Sequence, residues 1–466
     1  MYEDDALNKL GVVGEWIWGD DEETAVFAQA YGHGRTLIFQ FASDQGRPFS
    51  LPSRIVNCYH DVQVTDPNAS FADRPSMRAA LWLALSSIWP DCIESPQTAG
   101  SDVIIDVGDA GSEEPEPQIS WVARHDARFN DYLDILSPID QLSLQQPTDT
   151  IDFKALVRQN QLGGRGCATL VTTASCPQSQ FVFKGIDFRT YLIDYESGHI
   201  LDQVKTFYRA VKLVDGMPHH PNVKVPAPTL VTIRKPGDHT ELVCGTLEAF
   251  FPGGTLKRHI EEFNTAGQRI PLSQKVLWCH QMAAAVAHTH LVAHTYHMDI
   301  KPGNFLIDEN QKLVLIDWEQ NDAPATTAAP EIDGSWDVEQ SADGSLLYTK
   351  YAGPERRNMP DTTPGQRGWN VWNCFPVWAE RCPKAAELAE VFSVGRCMWM
   401  LLRQPETDFE GIENTQDILE DWTGCEDIPE SFKRAVEKCV DHDPNKRMGL
   451  EELVAFWENA KQAVEA

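Results

Sequence analysis

The chain has no CxxC pair, no apolar run that approaches the length of a bilayer, and far fewer basic than acidic residues. Each absence removes a class of function. Eleven cysteines, an odd number, are scattered without paired spacing. They read as reduced thiols in a cytosolic or nuclear protein. A spanning helix needs ~20 consecutive apolar residues, so no membrane is expected as a partner. The opening MYEDDALNKL is acidic and lacks the basic-then-apolar order of a signal peptide, so a cytoplasmic or nuclear location is expected. Lys and Arg number 39 against 69 Asp and Glu, a formal charge of -30. Such a surface repels phosphate backbones, which argues against nucleic acid, and it attracts basic peptides or cations. No repeat is visible.

At 466 residues the chain is long for one core, and two or three domains are expected. Residues 1–100 read as a small mixed α/β module. In it, TLIFQF (Thr36 to Phe41) and RIVNCYHDVQV (Arg54 to Val64) are strand-like, and SMRAALWLALSSIW (Ser76 to Trp89) is helical. Residues 101–150 read as an acidic linker, SDVIIDVGDAGSEEPEPQ, followed by a helix around Phe129 to Leu136. Over residues 151–462 strands with short turns run to about Thr246 and helices dominate thereafter. That order predicts an α+β fold of two lobes. Two helices stand out. Ser273 to His290 opens on a serine cap, and Ala385 to Leu402 is apolar nearly all round, as in a helix buried at a domain centre.

One stretch carries chemistry. HMDIKPGNFLID is followed shortly by IDWEQ, so an apolar region is interrupted by Asp299, Lys301, Asn304 and Asp317. Phe305 to Ile307 and Leu313 to Ile316 read as two strands joined by the turn DENQK. An antiparallel hairpin brings its open ends together, so Asn304 and Asp317 should lie side by side. An amide oxygen beside a carboxylate suits magnesium. A carboxylate in the feeding loop can accept a proton from an attacking hydroxyl, and a lysine there can neutralise a transferred phosphate.

HMDIKPGN (His297 to Asn304) resembles the catalytic loop of eukaryotic-type protein kinases, with D-W-E from Asp317 in place of D-F-G. The resemblance covers about Leu162 to Trp457. It implies a two-lobed kinase-like fold that transfers the γ-phosphate of ATP, with magnesium, to serine or threonine of a protein substrate. It assigns Asp299 and Lys301 to catalysis and Asn304 and Asp317 to the metal. LGGRGCATLV looks like the glycine-rich loop and FVFK like the strand that carries the phosphate-gripping lysine. These put Gly164, Gly166, Val171 and Lys184 at ATP, with Glu248 and Ala249 in the adenine-contacting hinge. His297 is implied as a structural loop residue. YAGPE (Tyr351 to Glu355) is similar to the A-P-E that closes the activation segment, and Arg447 of DPNKR is expected to pair with Glu355.

Departures from the family pattern keep two other readings open. Met298 replaces the loop arginine that receives an activation-loop phosphate, so activity independent of such phosphorylation is expected. Glu319 replaces the D-F-G glycine, Thr169 stands at the third loop glycine, and Glu390 occupies the place of an aspartate in the buried helix. The helix expected over His199 to Val214 holds no glutamate to pair with Lys184, which favours a pseudokinase scaffold. D-W-E also resembles the metal loop of small-molecule phosphotransferases.

Overall fold

The computed structural model describes residues 11–20, 22–33, 35–44, 46–47, 50–65, 75–100, 102–109, 119–145, 148–163, 168–195, 200–235, 240–320, 323–353, 356, 374–406, 409, 412 and 415–465. The fold is mixed α and β, in two units: Met1–Tyr208 with Ala227–Phe250, and Arg209–Pro226 with Phe251–Ala466.

The first unit contains two sheets. The first runs β1 (Val12–Gly19), β2 (Ala25–Gly32) and β3 (Arg35–Ala42) antiparallel. Helices α1 (Leu51–Thr65), α2 (Pro75–Ser86) and α3 (Trp89–Glu94) then lead to β4 (Val103–Asp109), parallel to β3, and to β5 (Ile119–His125), antiparallel to β4. Phe39, Phe41, Ile55, Val56, Leu81 and Trp89 form its core.

Two expectations change here. Arg54 to Val64 is helix, not strand: Ile55, Val56, Tyr59 and His60 are buried while Arg54, Asn57 and Cys58 are exposed, a 3.6-residue period. The linker expected from residue 101 begins as strand β4, whose Val103, Ile104, Ile105 and Val107 are buried. Residues 110–118, the acidic remainder, lie outside the described residues.

The second sheet follows α4 (Arg128–Ile135), β6 (Ser137–Pro138) and α5 (Ile139–Leu142). Its strands are β7 (Asp149–Asp152), β8 (Leu156–Gly163), β9 (Ala168–Thr173) and β10 (Cys176–Gly185). After α6 (Phe188–Tyr195) and α7 (Ile200–Asp215) come β11 (Thr229–Arg234) and β12 (Glu241–Ala249). The order is β7-β11-β12-β10-β9-β8, with β6 on β12, and β8 lies against β1, β2 and β3. Gly185 faces Gly245 across β10 and β12, where a Cβ on Gly185 would come within 2.2 Å of the Cys244 carbonyl oxygen. Only glycine fits so close an approach.

In the second unit, α8 (Leu256–Thr265) is capped by the Thr255 hydroxyl, which accepts from the Arg258 amide at 3.1 Å. Helix α9 (Leu272–Ala287) starts after Pro271 with no side-chain cap, so Ser273 does not serve as one. Hairpins β13 (Phe305–Ile307)–β14 (Leu313–Leu315) and β15 (Trp336–Gln340)–β16 (Leu346–Lys350) precede α10 (Phe375–Arg381), α11 (Pro383–Arg403), α12 (Glu430–Cys439) and α13 (Leu450–Glu465). Every residue of α11 from Ala385 to Leu402 is buried, as its all-round apolarity predicts. The C-terminal carbonyl of Leu402 accepts from Lys275 Nζ and Arg269 Nη2, each at 2.9 Å, which satisfies an orphan helix-end acceptor with positive charge. Among the described residues no helix is long and apolar enough to cross a membrane.

Candidate active site

The β13–β14 register pairs Phe305 with Leu315 and Ile307 with Leu313, and the Ile316 amide donates to the Asn304 carbonyl at 2.9 Å. Asn304 therefore enters the hairpin and Asp317 leaves it at the same end, as the turn DENQK requires. Asn304 is buried, and its Nδ2 donates to Oδ2 and to the carbonyl of Asp299, both at 2.8 Å. Both partners only accept, so the nitrogen must face them and Asn304 Oδ1 is the atom turned elsewhere. Lys301 Nζ donates to the same Asp299 Oδ2 at 2.7 Å. Asp299 Oδ1 is buried and has no hydrogen-bond partner. An orphaned carboxylate oxygen beside a satisfied one is a group held ready for a proton donor.

Burial pushes the Asp299 carboxyl above its ordinary value; Lys301 opposes the rise and the Asp317 charge adds to it. Asp317 is thus near enough to be felt electrostatically. Asp317 (φ 71°) and Met298 (φ 74°) both adopt left-handed backbone, a conformation costing on the order of 1–3 kcal/mol each outside glycine. The surroundings hold them there. Glu390 Oε1 accepts from the Met298 amide and, at 2.7 Å, from the His297 amide, while Oε2 meets His290 Nε2 at 2.7 Å. Burial works to raise the Glu390 pKa, but His290 and these amides hold it below the ordinary value. His297 Nε2 donates to the Ile316 carbonyl at 2.7 Å, one residue before Asp317, and its ring meets Trp318 edge-on at 4.7 Å. Gln320 Nε2 reaches back to the Tyr296 carbonyl at 2.7 Å. One network ties the His297 to Asn304 stretch to the Asp317 to Gln320 stretch from both sides.

No family model matches the chain, and no curated protein does.

The donor set accordingly decides what could bind. Asn304 Oδ1, the Asp317 carboxylate and Asp299 are hard oxygen ligands, which fit a magnesium ion brought in by a polyphosphate. Among the described residues no three His, Cys, Asp or Glu gather to hold a metal unaided. Phosphate-borne magnesium needs only one or two protein carboxylates.

In the other unit, Val171 on β9 is buried opposite Phe181 of β10, and Lys184 on β10 lies opposite Ala168 and Thr246. Glu248 and Ala249 end β12, where Thr246 Oγ1 donates to Glu248 Oε1 at 2.8 Å. Gly164 and Gly166, which fall between β8 and β9 in the sequence, lie outside the described residues.

Of the expected pair Arg447 and Glu355, only Arg447 lies among the described residues, and there it meets another glutamate. Arg447 binds Glu331 through two parallel bonds, Nη1–Oε1 at 2.5 Å and Nη2–Oε2 at 2.9 Å, with both side chains buried. Its remaining donors serve the carbonyls of Asp441 and Leu388. Glu355 lies outside the described residues. Glu331 belongs to Ala329-Pro330-Glu331, a letter-for-letter A-P-E nearer to Asp317 than YAGPE, and that match is the signal that could have identified it. The segment from Asp317 therefore reaches its buried anchor before the β15–β16 hairpin, on which Tyr348, Thr349 and the preceding Ser345 turn are placed. Glu331, Gln320 and His290 are the site's supports that sequence reasoning missed. Thr327 is another: its hydroxyl donates to the Ile300 carbonyl at 2.6 Å. The stretch WNVWNCFPVW (Trp369 to Trp378) is rich in tryptophan; Trp378 is buried, and residues 369–373 lie outside the described residues.

Proposed function

We propose that the chain is an ATP- and magnesium-dependent protein kinase that phosphorylates serine or threonine, on a two-lobed kinase-like fold. One observation carries this reading. Asp299, Lys301 and Asn304 form a hydrogen-bonded set at the mouth of a hairpin whose other strand delivers Asp317. A buried carboxylate with one unpartnered oxygen, a lysine locked to the other and an amide oxygen turned away from both make a constellation suited to phosphoryl transfer.

In the reaction the substrate hydroxyl oxygen bonds to the γ-phosphorus, the bond to the β-bridging oxygen breaks, and ADP leaves. Asp299 Oδ1 takes the hydroxyl proton. Lys301 offsets charge on the phosphoryl oxygens, and Lys184 would position the α- and β-phosphates. Magnesium, when bound, would neutralise charge on the β- and γ-phosphates, held by Asn304 and Asp317. The buried positions of Glu390 and His297 keep this loop in its strained form, independent of a phosphate at the position of Met298. A basic protein substrate agrees with the charge of -30.

The test is transfer of labelled γ-phosphate to mixed serine, threonine and tyrosine peptides, with Asp317→Asn as control. Transfer to serine or threonine that the variant loses is expected; undiminished transfer by the variant contradicts the assignment. A non-catalytic nucleotide-binding role is the second reading, because α7, ILDQVKTFYRAVKLVD, departs from the family pattern in holding no glutamate. Stabilisation by ATP without any transfer would select that role.

A further inference from the structure

The first unit encloses a cavity of about 220 Å³ between its two sheets, and its lining reverses the charge of the molecule. Among the described residues four cations, Arg35, Lys154, Arg158 and Arg189, line it against a single carboxylate, Asp187, in a chain of net charge -30. Asp187 is shared: Arg158 Nη1 lies 3.3 Å from Oδ2 and Arg189 Nε 4.0 Å from Oδ1. Burial works to raise the Asp187 pKa, but the two guanidiniums hold it below the ordinary value, so it stays ionised and offsets one charge only.

Arg189 is 1% exposed. Its Nη1 donates to Gln161 Oε1 at 2.6 Å, whereas Nε and Nη2 are buried without any hydrogen-bond partner. A buried guanidinium with an unused edge is costly unless something accepts from it. Arg35 is fixed opposite by neutral acceptors, the carbonyls of Ile93 and Ser95 and the Thr98 hydroxyl at 2.7 Å, and among the described residues no carboxylate reaches it. Lys154 is exposed at the rim.

We propose that this cavity is a binding site for a small phosphate-bearing anion, held by the free Nε–Nη2 edge of Arg189 with Arg158, Arg35 and Lys154 around it. The paired N–H groups of a guanidinium edge match two oxygens of a phosphate, and the excess of cations suits a dianion. The volume lies below the ~300 Å³ at which drug-sized pockets begin, so the ligand is compact, such as phosphate itself or a short phosphorylated metabolite. This site is separate from the kinase reading and needs neither nucleotide nor magnesium.

Thermal unfolding of the full chain, titrated with inorganic phosphate at constant ionic strength, tests it. Phosphate should raise Tm saturably, malonate less, and chloride not at all. Arg189→Met should weaken the apparent affinity about tenfold or more, the scale of losing charge-assisted hydrogen bonds. Lys154→Ala, a surface change that leaves the fold intact, should weaken it by a smaller factor. If Arg189→Met does not fold, Arg189→Lys is read instead, with the same loss expected because the fork is gone. Asp317→Asn should leave the titration unchanged. No saturable shift, a shift preserved in the Arg189 variant, a response to malonate but not phosphate, or one abolished by Asp317→Asn each overturns the proposal.

Discussion

Asp299 shows how a single environment sets chemistry. Its burial raises the carboxyl pKa, and the ionised form is the one that accepts a proton, so activity should fall as pH drops through a value above the ordinary carboxylate range. A pH–rate profile of kcat/KM, which reports the free enzyme, should show that acid limb. Asp299→Asn should lower kcat by about 10²–10⁴ and remove the limb. Arg447 and Glu331 make the matching structural test. Each is buried, so Glu331→Gln leaves a guanidinium without its counter-charge and should cost about 3–5 kcal/mol in denaturant unfolding. A loss under ~0.5 kcal/mol would mean the pair adds nothing. The quartet Asp299, Lys301, Asn304 and Asp317 was legible because three ionisable groups and an amide that interrupt an apolar region have few structural uses. Glu331 was not, because two Pro-Glu triplets compete along one stretch and only packing reveals which glutamate meets Arg447.

At the scale of elements, legibility followed periodicity. Helix α11 is apolar nearly all round and is buried on every face from Ala385 to Leu402. Helix α1 reads as strand because Ile55, Val56, Val62 and Val64 are β-branched, yet its burial follows helical spacing where it packs on β3 and β4. Strand β4 hides in an acidic context: Asp106 pairs with Arg124 of β5 at 2.7 Å, so its charge lies on the sheet's polar face and its apolar neighbours enter the core. Gly395 gives the element-level prediction. Alanine there would gain about 1 kcal/mol of helix propensity. Its Cβ, however, would lie 2.4 Å from Cys439 Cβ on α12. Overpacking of that kind costs about 1–3 kcal/mol, so Gly395→Ala should lower Tm. A raised Tm would show that α11 and α12 can part without penalty.

For the whole molecule, charge is the dominant property. A chain of -30 should draw basic peptides by long-range attraction, which salt screens. On the kinase reading, kcat/KM for a basic peptide should fall several-fold between about 0.05 and 0.5 M salt, while a neutral peptide changes little. Equal salt dependence for both would remove the surface from substrate choice.

On the kinase reading, Asn304 and Asp317, at the mouth of one hairpin, would hold magnesium on a polyphosphate beside Asp299. Calorimetric titration of ATP with and without magnesium tests it most directly, because binding is read apart from turnover. Magnesium should tighten ATP binding to the wild-type chain and to Asp299→Asn, and should lose that effect in Asp317→Asn. ATP affinity indifferent to magnesium in the wild type, or equally magnesium-dependent in Asp317→Asn, would contradict the account.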